Sequence, residues 1–398
     1  MHVVIIPSER YVTRRSPLAG VFQYQQAHAL SEKGTKVGVI SAGFVPFSMM
    51  FAAYPYEEFE VDRGVPTYRI YKRTALPGRV AIRILWAYLV RLYQMGFEKY
   101  VREQCMPDIV HAHNCLFAGV VALKIKDRYG IPYIVTEHSS VYGRGLLSRR
   151  QAKLTREVLR NADRITVVSK ALGARLEKLF GADACPNLPI FNILDAEFEG
   201  CGSVLNDVKE ESDFFTFLSI GSLDSNKNHR DLLSAFASRF AGDSRVKLRI
   251  GGAGPLLRAL EQQVEELGLQ EQVVFTGMLG RDSVLREMRD CSVFVLPSVF
   301  ETFGVVLIEA LAMGKPIVAT MCGGPEDIVN ERNGILVPVK DVEALAKAMW
   351  DIRLNIDRYD ARAIRSDCLL RFGKDSFVKR LQGIYAGIRD TKKRIDNG

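Results

Sequence analysis

Short, nearly continuous apolar runs alternate along this chain with stretches of helical period. His2–Ser8, Val37–Ser41, Thr67–Tyr71, Asp108–His113, Tyr133–Glu137 and Arg164–Ser169 read as strands rich in β-branched and aromatic residues. Between most of them lie helical patterns, at 24–33 (closed by Gly34) and at roughly 79–104, 116–129, 148–161 and 170–180. Strands apolar on both faces and joined by helices predict a parallel sheet covered on both sides, a Rossmann-like domain over 1–195. The stretch 196–213 is acidic, Gly-containing and aperiodic, and reads as a linker. The alternation then restarts, with strands at Phe214–Gly221, Val246–Gly251, Val273–Thr276, Val293–Pro297 and Pro316–Ala319. Helical patterns at 230–240, 256–267, 284–289, 303–313 and 341–355 complete a second Rossmann-like domain over 214–356, leaving C-terminal helices in 357–398. The fold class expected is α/β, two such domains facing each other across a cleft where ligands bind at the strand ends.

Composition removes several classes. The chain has 398 residues, long enough for two cores, with 47% hydrophobic and 25% charged residues, the averages of a globular protein. No apolar run approaches the roughly 20 residues that span a bilayer, and no secretory signal is visible. Seven scattered cysteines without Cys-x-x-Cys argue against a disulfide framework or a zinc ribbon and point to a reducing cytoplasm. The net charge of +8 is uneven: residues 1–195 carry 27 Lys+Arg against 16 Asp+Glu, a net of +11, and the remainder a net of −3. Within 69–102, Arg69, Lys72, Arg73, Arg79, Arg83, Arg91, Lys99 and Arg102 face a single acid, Glu98. On a helical projection of 79–104, Ile82, Leu85, Trp86, Leu89, Leu92 and Tyr93 fall on one side and Arg83, Arg91 and Arg102 on another. That is either a core helix with a solvated basic face or a contact for anionic lipid headgroups or a phosphate-bearing acceptor. Nucleic acid suits the charge but finds no reading element or stacking module.

The richest chemistry lies in 295–320. A strand ends at Pro297, a loop carries Glu301, and a helix begins near Thr302 and stops at Gly314. Amides around Phe303, Gly304 and Val305 at that helix start suit a phosphate or sugar oxygen. Glu301 stands at the mouth, and Glu309, two turns in, is a natural acceptor for vicinal hydroxyls. The plainer account has Glu301 capping the helix and Glu309 facing solvent. His111 and His113, two apart on a strand, either bind metal or line the strand end. Gly251-Gly-Ala-Gly254 lacks the third glycine of a dinucleotide fingerprint and reads as a tight turn. Phe51, Tyr54, Tyr56 and Phe59 line an acceptor groove or cover core.

Glu301-x7-Glu309, with Pro297-Ser298 before it and Gly314-x-Pro316 after it, resembles the family 4 retaining glycosyltransferases of the GT-B fold. Gly221-Ser-Leu-Asp-Ser-Asn-Lys227-Asn, Leu248-Arg-Ile-Gly-Gly-Ala-Gly254-Pro255 and Cys322-Gly-Gly-Pro-Glu-Asp are similar to further marks of that family, in its order. The match is strong over 215–345 and looser in the first half, at Pro107–His113, Ile134–His138, Ala162–Ser169 and Asn192-x2-Asp195.

The resemblance implies site roles. Lys227 would neutralise the diphosphate of a nucleotide-sugar, Glu309 would bind its ribose and Glu301 its sugar, with the Phe303–Val305 amides on sugar and phosphate oxygens. His138 would lie against the donor sugar, Gly20 would border the reaction centre, and backbone near Gly277 and Met278 would meet the base. Ser222 stands where the family often has Arg, which removes one cation and leaves Lys227 more of the leaving-group charge. No Asp-x-Asp occurs anywhere, so no metal and no cofactor are expected. The implied reaction is retaining transfer of a hexosyl or N-acetylhexosaminyl unit from a nucleotide-sugar, UDP-linked before GDP-mannose, to a glycan or polyprenyl-diphosphate-linked acceptor. It would occur in the cytoplasm or at the inner membrane face, in surface polysaccharide assembly. Two alternatives stay open: a UDP-N-acetylglucosamine 2-epimerase, and a catalytically silent nucleotide-sugar-binding module.

Overall fold

The computed structural model describes residues 1–8, 11, 20–45, 57–73, 79–182, 187–201 and 214–396. It divides into two compact units, Met1–Val168 with Gly173–Ile193 and Phe377–Gly398, and Ser169–Leu172 with Leu194–Ser376. Residues 202–213 of the expected linker, and Phe51, Tyr54 and Tyr56, lie outside the described residues.

The first unit is built on eight strands, β1 (His2–Ile6), β2 (Lys36–Val45), β3 (Glu57–Asp62), β4 (Val65–Arg73), β5 (Ile109–His113), β6 (Tyr133–Glu137), β7 (Arg164–Val167) and β8 (Asn187–Pro189). Their order is β3-β4-β2-β1-β5-β6-β7-β8, parallel throughout except for the antiparallel β3–β4 pair. Strands β1, β5 and β6 are buried at every position, which is why they are apolar without alternation. The sequence pattern had no strand at β3 or β8. Strand β3 reads Glu-Glu-Phe-Glu-Val-Asp, alternates exposed and half-buried, and forms the sheet edge, with Phe59 39% exposed. Its acids change the charge picture: Glu60 and Glu58 pair with buried Arg69, at 2.9 and 3.5 Å, and Glu57 pairs with Lys99. Two of the eight basic residues in 69–102 are thereby neutralised. Arg91 and Arg102 are exposed on the helix Arg79–Gln104, which buries Leu92, Tyr93, Phe97 and Tyr100. The core of this unit joins Val3, Ile5, Val37, Ile109 and Ile134 to Phe377, Val378, Leu381, Tyr385 and Ile388 of the last helix, Lys374–Asp396.

The second unit carries β9 (Phe215–Ile220), β10 (Val246–Gly251), β11 (Val273–Gly277), β12 (Val293–Leu296), β13 (Ile317–Thr320) and β14 (Gly334–Val337), all parallel, in the order β11-β10-β9-β12-β13-β14. Phe217, Phe236, Phe240, Leu248, Val293, Val318 and Met349 form its fully buried centre, each such side chain contributing about 1.5–3 kcal/mol by burial. Ala196–Gly200, expected as linker, is a short helix of this unit capped by the Asp195 carboxylate, which accepts from the Glu197 amide at 2.8 Å. The helix Ala361–Phe372 also belongs here, while the last helix joins the first unit from Phe377. Strand order reverses between β9 and β12, the place at the carboxyl ends of an open α/β sheet where ligands bind. In the first unit the same reversal falls between β1 and β5.

Candidate functional site

At the reversal in the second unit, the loop after β9 brings Lys227 and the loop after β12 brings Glu301, joined by a 2.5 Å ion pair. Both are largely buried, with side chains 20% and 13% exposed, so their charges are poorly screened. Ser298 donates to the same carboxylate oxygen at 2.8 Å. Asn226 stitches the two loops together: its carbonyl accepts from the Val299 amide at 2.7 Å and its side chain donates to the Phe300 carbonyl at 3.0 Å. Asp224 shapes the first loop by accepting from the amides of Asn226 and Lys227 and from the Ser222 hydroxyl. Although burial raises its pKa, the bonds from Ser222, Lys227 and Asn226 prevail and hold the Asp224 carboxyl below its usual value. Ser222 thus orders the loop around Lys227 and brings no second cation.

The helix after Glu301 starts at Val305, later than the pattern suggested, because Gly304 before it has φ 94° and ψ 62°. That left-handed turn suits glycine and breaks the helix there. Phe303 is buried, edge-on to Phe372 at 5.9 Å. Glu301 caps no helix amide; its carboxylate is spent on Lys227 and Ser298. The solvent-facing account of Glu309 fails as well. It is 8% exposed, and Arg281 Nη1 donates to its Oε1 at 3.1 Å. Burial pushes the Glu309 pKa up to about 7 against the opposing pull of Arg281. Arg281 also pairs with Asp195 and, at 3.5 Å, with Glu197. At the edge strand β11, the Gly277 carbonyl accepts from the Gly252 amide at 2.7 Å, and Met278 is 82% exposed. The 251–254 segment is the tight turn expected: Gly252 has φ 135°, and a Cβ there would enter the Gly221 carbonyl oxygen.

In the first unit, Gly20 stands in the left-handed region, φ 65°, before the helix Val21–Glu32. His138 follows β6 and meets His113 at 2.9 Å, Nε2 to Nδ1, while His111, His113 and His138 stack with centroids 4.5 and 5.1 Å apart. Both nitrogens of His111 are engaged, with the Tyr385 hydroxyl and Thr136, each at 2.7 Å, so the metal-ligand account of the His111–His113 pair fails. Burial drives all three imidazoles towards the neutral form, His111 to about 3 and His138 to about 4. Among the described residues no group of three or more His, Cys, Asp or Glu is placed to hold a metal ion.

Lys227, Glu301, Gly304 and Glu309 therefore belong to one unit and His138 and Gly20 to the other. Sequence reasoning missed Asp224, Asn226, Ser298 and Arg281. Ser298 and Asn226 lie inside the quoted motifs and were legible as side chains beside them; Arg281 had no local signal.

Comparison with known proteins accords with this geometry. The family description Glycosyltransferase Family 4 matches residues 19–198, and Glycosyl transferases group 1 matches 215–354. The chain is 26% identical over 380 residues to 2-deoxystreptamine N-acetyl-D-glucosaminyltransferase of Streptomyces fradiae, covering 89% of this chain and 87% of that one. It is 27% identical over 354 residues to TuaC of Bacillus subtilis, named as a glycosyltransferase of teichuronic acid biosynthesis, with 85% and 86% covered. Among solved structures, sucrose-phosphate synthase from Thermosynechococcus elongatus superposes with TM-score 0.76 at 20% identity, over 98% of this chain and 100% of that one. Anabaena HepE in complex with UDP does so with TM-score 0.73 at 18% identity, over 97% and 100%. Two family descriptions falling one on each half of the chain, over two sheets of this topology, place it among the family 4, group 1 glycosyltransferases of the GT-B fold.

Proposed function

We propose that this glycosyltransferase moves a hexosyl or N-acetylhexosaminyl unit from a nucleotide-sugar, with retention, to a glycan or polyprenyl-diphosphate-linked acceptor in surface polysaccharide assembly. The observation that carries the reading is the Lys227–Glu301 pair at the β9/β12 reversal, a cation and a carboxylate held together where a phosphate and a sugar meet. In this reading the diphosphate takes over Lys227, and the released Glu301 carboxylate accepts from sugar hydroxyls. The anomeric carbon–oxygen bond to phosphate breaks, the acceptor oxygen bonds to that carbon on the same face, and the acceptor proton passes to the departing phosphate oxygen. Lys227 and the amides of Phe303, Gly304 and Val305 stabilise the developing negative charge, a task that needs no metal. Ser222 keeps Lys227 in place, Glu309 takes the ribose, and the backbone at Gly277 and Met278 meets the base. His138, neutral at pH 7 through its burial and joined through Nε2 to His113, lies against the sugar beside Gly20.

UDP is the favoured nucleotide and GDP the next; HepE, solved with UDP and with UDP-glucose, supports the first. The names of the Bacillus and Streptomyces relatives support a glycan acceptor and an N-acetylhexosaminyl donor. No helix among the described residues is long and apolar enough to cross a membrane, so a lipid-linked acceptor would be met at the surface, through the basic segment 69–102. The test is donor hydrolysis and transfer across UDP-, GDP-, ADP- and TDP-sugars in EDTA. Lys227→Ala and Glu301→Ala should each lower turnover roughly 100-fold or more. Wild-type turnover in both variants would remove the site assignment, and activity appearing only on metal addition would remove the metal-independent chemistry.

A further inference from the structure

Glu309 is held from one side only. Its Oε1 accepts from Arg281 Nη1 at 3.1 Å, and its Oε2 makes no hydrogen bond within the described chain. A carboxylate 8% exposed with one oxygen anchored and the other unengaged is arranged to accept from something the chain does not supply. Arg281, in turn, has further contacts of its own. Asp195 and Glu197 grip its other edges, and its guanidinium lies 5.1 Å from the Phe198 ring centroid. Three carboxylates around one guanidinium leave negative charge in excess. Glu197 is exposed to water, but Asp195 and Glu309 are not, and a hydroxyl donor at Glu309 would relieve the charge they share.

We propose that Arg281 is a positioning residue that holds the Glu309 carboxylate as acceptor for the nucleotide's ribose hydroxyls and so sets discrimination of ribose from deoxyribose. This rests on the reading above that Glu309 meets the ribose. The hydrogen bond from Arg281 Nη1 anchors Oε1 and leaves Oε2 to the ligand, so one oxygen is positioned before binding. Among the described residues no other cation pairs with Glu309. Arg365 of the helix Ala361–Phe372 is spent on the carbonyls of Phe198, Glu199 and Ala312, and Cys368 of that helix donates to Ile308 O at 3.3 Å. Strands β12 and β13, which pack on the Glu309 helix, carry no titratable side chain. Without Arg281, burial keeps the Glu309 proton in place and the acceptor weakens.

The test is calorimetric. UDP, GDP and ADP are titrated into the full chain, and the tightest is compared with its 2′,3′-dideoxy form in wild type, Arg281→Gln, Arg281→Lys and Glu309→Gln. The wild type should prefer the ribonucleotide by roughly tenfold or more, the scale of a hydrogen bond to a charged group. Arg281→Gln should lose that preference while binding the dideoxy form as wild type does, and regain part of it as pH rises towards 9 and Glu309 ionises. Arg281→Lys, which keeps the charge but not the fork, should lose less; if Arg281→Gln does not fold, this variant decides. Equal weakening of both nucleotides in the arginine variants, or full retention of the preference, overturns the proposal. Preference retained in Glu309→Gln instead overturns the ribose assignment of Glu309, and failure of the wild type to bind any of the three nucleotides overturns the donor reading.

Discussion

Glu309 also leaves a signature that needs no ligand. Its pKa is pushed up to about 7 when folded, against roughly 4.3 for a carboxyl in an unfolded chain. Between those two pH values the folded protein keeps a proton that the unfolded chain has released. Stability therefore falls as pH rises through that window, and the loss persists above it. Glutamine cannot ionise, so Glu309→Gln should match the wild type near pH 4.5 and melt a few degrees higher at pH 8. The stacked histidines titrate alike in both proteins, their pKa depressed when folded, so they cancel in the difference. Thermal melts from pH 4.5 to 8 check this, and parallel curves for the two proteins contradict it. Arg281 is the companion residue that sequence reading could not find. Its acidic partner Asp195 lies 86 positions earlier, and a tertiary ion pair leaves no periodicity behind.

At the scale of elements, the apolar runs were legible because strands buried on both faces must be apolar at every position, as β1 and β6 are. What escaped was β3, whose acids make it look like loop until Arg69 and Lys99 are seen to pair with them. The start of the Glu309 helix was misplaced for a different reason: apolar spacing marks a face but not the left-handed turn at Gly304. Backbone crowding was equally hidden, and it carries a prediction. Gly252→Ala combines φ 135° with a clash against a carbonyl oxygen that cannot move without shifting the Lys227 loop. A cost of about 3 kcal/mol is expected in urea unfolding, with donor binding weakened in parallel. A loss under 1 kcal/mol would show that the loop yields.

For the whole molecule, the count of eight basic residues against one acid in 69–102 overstates the free positive charge of that segment, since Arg69 and Lys99 are answered by β3. The proposed membrane-surface role then rests on the remaining basic residues of the long helix, among them exposed Arg91. Arg79 and Arg83 belong to that helix too, with side chains outside the described set. Vesicles rich in phosphatidylglycerol should bind the protein at low salt and release it near 0.5 M. Neutralising Arg79, Arg83 and Arg91 together should weaken binding roughly 100-fold, at about 1 kcal/mol per basic side chain. Binding to phosphatidylcholine vesicles as strong at every salt concentration would sink the idea. The return of the last helix to the core of the first unit carries a consequence for how such chains can be recombined. Because Phe377–Ile388 complete a core begun by Val3 and Ile5, the stretch from Leu194 to Ser376 behaves as an insertion within another domain. A single crossover near residue 195 would give the hybrid an N-terminal sheet from one parent and its closing helix from the other, parting His111 from the Tyr385 it evolved with. Two crossovers, one at each boundary, exchange Leu194–Ser376 as a cassette and leave the first core with its own residues.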